Sequence, residues 1–377
     1  MDHAPTARYP AQRRRLLLSA AAAGLSACLP LASCAQATAP AAGPAPAGRA
    51  LGTGPVTIDI HSHAGRVTLS HNTATGGLRP FLPLAGPMRE GGLDVVCLAI
   101  VADASATRVS TDRKRIEPYR DPAPGEMYAL SQQAFARLEQ LVAQQGLQVI
   151  TTAAQLRDAR SAGPSVIVTS EGADFLEGQV DRVDEAWSVH RLRQLQLTHY
   201  RPNELGDIQT EPPVHGGLTD FGADVVRRCN KLGLVVDVAH GTYDLVKRAA
   251  SVTTRPLVLS HTSLVRGRLN PRTRQISPDH ARAIAGTGGV IGVWPSSGYF
   301  SGLEAMADGV RQMADVVGID HVALGTDMLG FISPPVLTRY QQLPDYGRAL
   351  AAAGLSPEEV GKVLGGNYLR VFEATVA

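Results

Sequence analysis

The sequence is poor in the residues that several common classes of function require. Only 5% of its 377 residues are aromatic, four are cysteine, and the formal net charge is +2. Few aromatic side chains, not interleaved with basic ones, give no stacking surface for nucleic acid. A nearly neutral chain also lacks the basic patch that binds a phosphate backbone. We therefore expect no nucleic-acid partner, and a small polar substrate instead.

Several catalytic motifs are also missing from the sequence. It contains no P-loop, no G-x-G-x-x-G dinucleotide fingerprint and no Gly-x-Ser-x-Gly nucleophile elbow. Cys28 and Cys34 lie near the N-terminus, whereas Cys97 and Cys229 lie in an apolar strand and a helix. Small buried thiols of this kind belong to a core, so we expect no disulfide framework.

The first 34 residues have the pattern of an export signal. The segment 12–15 contains three adjacent arginines and precedes an Ala/Leu-rich stretch over 16–32. This pattern resembles a twin-arginine signal, and the stretch is too short and too rich in alanine for a membrane span. Both Cys34 and Cys28 end a lipobox-like pattern, and 35–37 offers an ordinary cleavage site as the alternative. We expect residues 1–34 to direct export to the periplasm of a bacterium, or to a lipid anchor on a membrane.

The rest of the chain alternates strands and helices. Residues 35–54 are rich in Ala, Pro and Gly and predict a linker, and 55–377 predicts one catalytic domain. The candidate strands are 56–60, 94–101, 165–170, 194–198, 234–239, 256–260, 289–293 and 321–326. The candidate helices are 126–145, 219–232, 242–250, 278–286 and 303–317. Eight β/α units favour a (β/α)₈ TIM barrel over a doubly wound open sheet, with a long loop over 103–125.

Side chains that can bind metal stand where four of the apolar runs stop. They are His61 and His63 after the first strand, Glu171 after the third, His240 after the fifth and His261 after the sixth. Active sites of α/β barrels lie at the carboxyl ends of the strands. Two imidazoles in a His-x-His pair point to one side of an extended chain, and a glutamate can bridge two cations. Each residue alone is more often an ordinary polar residue, but together they predict a metal site.

Three further residues follow strands or lie in a nearby loop. Asp327 follows the eighth strand and is the candidate for proton transfer. His199 follows the fourth strand and could polarise a carbonyl or bind substrate. Arg274 could hold a carboxylate by two hydrogen bonds, although a plain loop arginine is the simpler interpretation and Arg272 is an alternative.

These motifs resemble the membrane dipeptidases, also called renal dipeptidases, which are zinc metallopeptidases with an amidohydrolase-like barrel. The resemblance runs from about residue 59 to 373 and is most specific over 217–240, 260–263 and 364–372. It implies that His61 and His63 bind one zinc ion, that His240 and His261 bind a second, and that Glu171 bridges both. It also implies that His199 and Arg274 contact the substrate, that Asp327 shuttles protons, and that a homodimer forms.

Two positions depart from the pattern of this family. His63 stands where the family usually has aspartate, and this raises the net charge of the metal site by one. Leu329 stands where a second aspartate usually follows Asp327 by two residues. Metal preference and substrate preference are the properties that these changes affect.

The sequence therefore predicts hydrolysis of the peptide bond of dipeptides, carried out by a hydroxide that bridges two divalent ions, most simply Zn²⁺. One alternative is another metal-dependent hydrolase on the same barrel, acting on an N-acyl amide, a lactone or a phosphoester. A second alternative is an exported protein that binds metal or peptide without turnover.

Overall fold

The structure is a computed structural model that describes residues 56–69, 79–268, 270 and 272–376. The predicted export signal (1–34) and linker (35–54) lie outside the described residues. Within the described part of the chain, no helix is both long enough and apolar enough to cross a membrane.

The described residues form eleven strands. They are β1 Ile58–Ser62, β2 Val95–Val101, β3 Thr107–Val109, β4 Ile116–Pro118, β5 Gln148–Val149, β6 Ser165–Glu171, β7 Leu192–Gln196, β8 Val235–Asp237, β9 Leu257–Thr262, β10 Val290–Val293 and β11 Val322–Leu324. Residues of the longer strands are buried along their whole length, as β-branched and apolar runs in a parallel sheet require.

Eight of these strands form the wall of a barrel. They pair in parallel in the order β1-β2-β6-β7-β8-β9-β10-β11, and β5 adds a short pairing to β6. The ring is closed beyond the end of β11, where the Asp327 N–H donates to the His61 carbonyl and the His63 N–H to the Met328 carbonyl, each at 2.9 Å. The predicted (β/α)₈ barrel is confirmed. The closure also brings the loop after β11 beside the end of β1.

Helices surround this barrel in the described residues. They are α1 Ala85–Gly91, α2 Glu126–Gln145, α3 Ala153–Ala162, α4 Asp181–Ser188, α5 Asp220–Leu232, α6 Tyr243–Val252, α7 Pro278–Ala285, α8 Leu303–Val317, α9 Leu343–Ala352, α10 Pro357–Gly361 and α11 Asn367–Thr375. Side-chain caps fix several starts: Thr219 accepts a hydrogen bond from the Gly222 N–H, and Ser277 precedes a first-turn proline. These caps explain why the starts of α5 and α7 could be predicted from the sequence to within one residue.

The prediction of a long loop over 103–125 is wrong, because this segment contains an antiparallel hairpin of β3 and β4. Each of its strands has three residues and carries charge, which gives too little alternation for a sequence pattern. Some barrel strands also end later than predicted. His61, Glu171 and His261 therefore lie inside β1, β6 and β9 rather than after them.

An apolar cluster fills the end of the barrel where the strands begin. It joins strand residues such as Ile58 and Cys97 to Tyr368, Val371 and Phe372 of α11. The C-terminal helix therefore closes this end, and the chemistry-bearing residues are confined to the opposite end.

Replacing Phe372 with Ala is expected to lower the free energy of unfolding by about 3–5 kcal/mol, because it leaves a cavity under α11. Phe372 is fully buried. Urea unfolding followed by circular dichroism measures the loss. Glu373→Gln changes only an exposed ion pair with Arg157 and is the control. A cost for Phe372→Ala no larger than that of the control would contradict the role of α11.

Candidate metal centre

The predicted ligands converge on Glu171, which is buried at the end of β6. Its two carboxylate oxygens face the Nε2 atoms of five imidazoles. The Oε1 atom lies 3.4 Å from His61, 3.2 Å from His240 and 3.3 Å from His261, and Oε2 lies 3.0 Å from His63 and 3.2 Å from His199. The structure thus gathers five histidines from the ends of four strands around one carboxylate.

Asp327 completes this cluster from the loop after β11. Its Oδ1 atom lies 3.5 Å from His63 Nε2 and 3.9 Å from His61 Nε2. Asp327 has a positive φ of 48°, and a side chain on Gly330 would collide with its carboxylate. The turn therefore uses a strained aspartate and a required glycine to aim this carboxylate at the two histidines.

Hydrogen bonds to a carbonyl and a hydroxyl on the far side of the rings orient two of the histidines. His63 Nδ1 lies 3.0 Å from the Ala99 carbonyl and His261 Nδ1 lies 2.9 Å from Ser260 Oγ. A carbonyl only accepts, so His63 Nδ1 carries a hydrogen and Nε2 is the ring atom that faces the cluster. This is the usual support of a metal-binding imidazole.

His199 is held differently, by a buried carboxylate. Its Nδ1 atom lies 2.7 Å from Asp103 Oδ1, and the other Asp103 oxygen accepts from the Tyr200 N–H at 3.0 Å. Burial opposes protonation of His199, but the charges of Asp103 and Glu171 outweigh it and raise the pKa to about 9. His199 is therefore the imidazole of the cluster that most readily carries a proton and donates it as a hydrogen bond.

Burial and neighbouring charges also shift the pKa values of the other groups in the site. Burial alone would raise the pKa of Glu171, but the facing rings, His199 and His61 foremost, hold it well below its usual range. Burial, reinforced by the charge of Glu171, raises the pKa of Asp327 to about 6. Burial and the nearby Arg274 lower the pKa of both His240 and His261. The centre thus combines an ionised Glu171 with neutral rings at His240 and His261, the forms that bind metal.

The donor set fits divalent metal ions. Three groups have ligand atoms within 4.8 Å of one another: His61, Glu171 and His261; His61, His63 and Asp327; and Glu171, His199 and His240. Among the described residues, His61 Nε2 is buried without a hydrogen-bond partner, which is costly unless something else binds there. His240 and His261 also bring their Nε2 atoms within 3.0 Å of each other. A bound cation would relieve both features.

Arg274 lies at the edge of the same site and is almost fully buried, whereas Arg272 is exposed. Its guanidinium donates to Gln209 Oε1 at 2.8 Å and stacks over the Trp294 ring at 5.3 Å from the centroid. The Arg274 Nε–H is buried and has no hydrogen-bond partner among the residues that the structure describes. The structure therefore places Arg274, and not Arg272, where it can bind an anion beside the centre.

Sequence reasoning missed three residues that support the site. Asp103 follows β2 just as the predicted ligands follow other strands, and that position was the signal for it. Trp294 follows β10 in the same way and lies against both His261 and Arg274. Asp59 is buried one residue before the centre of β1, and no pattern distinguishes it from a core position.

Asp59 ties the first strand to the last. Its carboxylate accepts from the Thr326 N–H at 2.8 Å, from Thr326 Oγ1 at 2.6 Å and from the Tyr340 hydroxyl at 2.8 Å. Tyr340 also shares a hydrogen bond with Ser62 Oγ at 2.7 Å. The network fixes the segment that carries His61 and His63 relative to the segment that carries Asp327.

A cleft of about 140 Å³ opens above the cluster. Its floor includes His63, Glu171, His199, His240 and Asp327. The metal-binding groups are therefore buried but reachable by a small substrate.

Comparison with known proteins identifies the family. The sequence profile of "Membrane dipeptidase (Peptidase family M19)" matches residues 85–377. Dipeptidase aclJ of Aspergillus oryzae is 30% identical over 189 residues, which are 48% of this chain and 44% of that protein. An uncharacterized protein encoded 5′ of pqqA in Klebsiella pneumoniae is 28% identical over 272 residues, 66% of this chain and 97% of that protein. The match spans about half the length, or less, of the curated fungal dipeptidases.

Solved structures share the barrel. A metallopeptidase from Rhodobacter sphaeroides, solved with a phosphinate mimic of the dipeptide L-Ala-D-Ala, superposes with a TM-score of 0.71 at 22% identity over 85% of this chain and 99% of that one. The probable dipeptidase PvdM from Pseudomonas aeruginosa gives a TM-score of 0.68 at 17% identity, over 85% of this chain and 95% of that one. With the profile match over most of the chain, the conclusion is that this protein belongs to the membrane dipeptidase family, peptidase family M19.

Proposed function

We propose that the protein is a metallo-dipeptidase that uses two divalent ions, most simply zinc. The observation that carries the proposal is the convergence of five imidazoles and two carboxylates at the strand ends of a barrel from this family. A packed core has no use for so many buried polar groups, and in the described part of the chain His61 Nε2 has no hydrogen-bond partner unless an ion is bound.

The residues divide between two sites that share Glu171. His61 and His63 would hold one ion and His240 and His261 the other. Glu171 Oε2 faces His63, and Oε1 faces His240, His261 and also His61. Bound ions would supply a water of lowered pKa as the nucleophile and would polarise the peptide carbonyl. His61 lies close to both groups, which is consistent with two adjacent ions.

The chain's own side chains would bind the substrate and move protons. His199, held by Asp103, directs Nε2 into the site and can donate to the oxygen of the attacked carbonyl. Asp327, with its pKa raised to about 6, can take a proton near neutral pH and return it to the leaving amine. Arg274 can hold the terminal carboxylate. A site that binds a free carboxylate so close to the metals restricts the substrate to short peptides.

The Rhodobacter sphaeroides structure supports the choice of substrate. Its bound ligand is a phosphinate, a tetrahedral group, in a mimic of L-Ala-D-Ala. We therefore include a D-residue on the carboxyl side among the substrates proposed for this chain.

The test is chelation, reconstitution and assay of the full chain. The expected result is that chelator abolishes hydrolysis of dipeptides, that zinc or another divalent ion restores it, and that N-acyl amino acids, lactones and phosphoesters react at least about tenfold more slowly. Faster turnover of one of these other substrate classes would show that the protein catalyses a different reaction on the same barrel. Bound metal with no turnover of any of them would favour a binding protein.

A further inference from the structure

Leu329 combines two unfavourable features at the mouth of the cleft. Its side chain is 50% exposed, although leucine normally gains by burial. Its φ is 68°, a left-handed conformation that a bulky residue rarely adopts. Strain of this kind at a ligand-binding cleft points to a role in function. The role open to an exposed leucine is contact with an apolar part of the substrate.

Three apolar side chains besides Leu329 line the same cleft, and we call them its apolar wall. They are Leu69, Val101 and Ile116, the last of them from the hairpin strand β4. The described lining holds one further charged side chain besides the cluster itself, the cation of Arg79. In that described lining the only carboxylates are Glu171 and Asp327, which the metal centre uses. No free acidic group is therefore present there to pair with a cationic substrate side chain.

The position of this wall relative to Arg274 decides which half of a dipeptide it meets. Arg274 lies past β9, beside His261 and Trp294. The apolar wall belongs to the loops after β1 and β11, to the end of β2 and to the hairpin. In the eight-strand ring β2 stands opposite β9, so these two sides lie across the metal centre from each other. A dipeptide whose carboxylate is bound by Arg274 would therefore direct its amino-terminal side chain toward Leu329.

We propose that this cleft selects dipeptides with an apolar amino-terminal side chain and rejects those with lysine or arginine there. The inference rests on the proposed dipeptidase function. An apolar side chain covers the exposed face of Leu329 and gains from burial. A lysine side chain would lose hydration against the same wall and would meet the charge of Arg79 without a compensating carboxylate.

The experiment compares leucyl-alanine and lysyl-alanine as substrates of the zinc-loaded full chain. We expect kcat/KM for leucyl-alanine to exceed that for lysyl-alanine by about tenfold or more. Leu329→Asp and Leu329→Asn form a matched pair, because both side chains are small, polar and tolerant of positive φ. They differ only in charge.

Both variants should have a lower kcat/KM for leucyl-alanine than the wild type. Only Leu329→Asp should gain kcat/KM for lysyl-alanine, by about tenfold relative to Leu329→Asn. Arg79→Gln should also raise kcat/KM for lysyl-alanine. Equal rates on the two substrates in the wild type, or equal behaviour of the Asp and Asn variants, would overturn this inference while leaving the dipeptidase function intact. Failure to hydrolyse any dipeptide would instead overturn the proposed function and this inference with it.

Discussion

Replacing Asp327 with Asn is expected to lower kcat by about 10²- to 10⁴-fold, the usual contribution of a general acid–base group. The amide has nearly the same shape but cannot take up a proton. Asp327 lies 3.5 Å from His63 Nε2 and 3.9 Å from His61 Nε2, so it contacts the cluster without being its centre. We therefore expect the metal content to be retained. Steady-state kinetics and elemental analysis of the same preparation measure both quantities.

A surface carboxylate provides the control for this variant. Asp320→Asn removes an exposed charge that pairs with Lys362, and it should leave kcat unchanged. If Asp327→Asn retained full kcat, Asp327 would not transfer protons in the reaction. If it lost its metal, Asp327 would be a ligand, and the loss of activity would have a different cause.

Replacing Glu171 with Gln is expected to remove most of the bound metal and to reduce activity by more than about 100-fold. Glu171 faces all five imidazoles, with no contact longer than 3.4 Å. The amide has one oxygen, and its NH₂ group would point at a ring nitrogen, so a shared bridging ligand is lost. Elemental analysis after gel filtration, together with the dipeptide assay, tests this expectation.

Glu358→Gln is the matched control for Glu171→Gln, because Glu358 is an exposed glutamate on α10 whose partner is Lys362. It should keep full metal content and activity. A Glu171→Gln protein that still holds its full complement of metal would show that this residue does not bridge two ions.

The ligand positions could be predicted because parallel strands end on one face of a barrel. His61, Glu171, His240 and His261 each stand at or just beyond the end of an apolar run, and strand order brings those ends together. The exact ends of the strands did not follow from the sequence. Hydrogen bonds between neighbouring strands decide where each strand stops. Glu171 is still paired with Val101 of β2, and β1 continues through a register shift between Asp59 and Ser62 that contains His61.

The supporting contacts depend on tertiary packing and could not be predicted. Asp103 meets His199 across 96 residues, and Asp59 meets Tyr340 across 281 residues. Neither pair has a local sequence signature. The hairpin of β3 and β4 was missed for a related reason, because strands of three residues carry no measurable period.

The structure shows how His63, which stands where the family usually has aspartate, is oriented. An imidazole there removes one negative charge relative to a carboxylate, which would weaken the attraction for cations. Its Nδ1 is nevertheless bound to the Ala99 carbonyl, and its Nε2 lies 3.0 Å from Glu171 Oε2. The ring is therefore oriented as a ligand. Nitrogen in place of oxygen favours zinc and similar transition metals over magnesium or calcium.

The central claim is that one buried carboxylate and the surrounding histidines hold a pair of metal ions. Elemental analysis of the full chain, reconstituted with zinc and freed of excess metal, tests it most directly. The account predicts about two ions per chain, both lost on chelation together with activity. Less than about one ion per chain, with activity unaffected by the chelator, would contradict it.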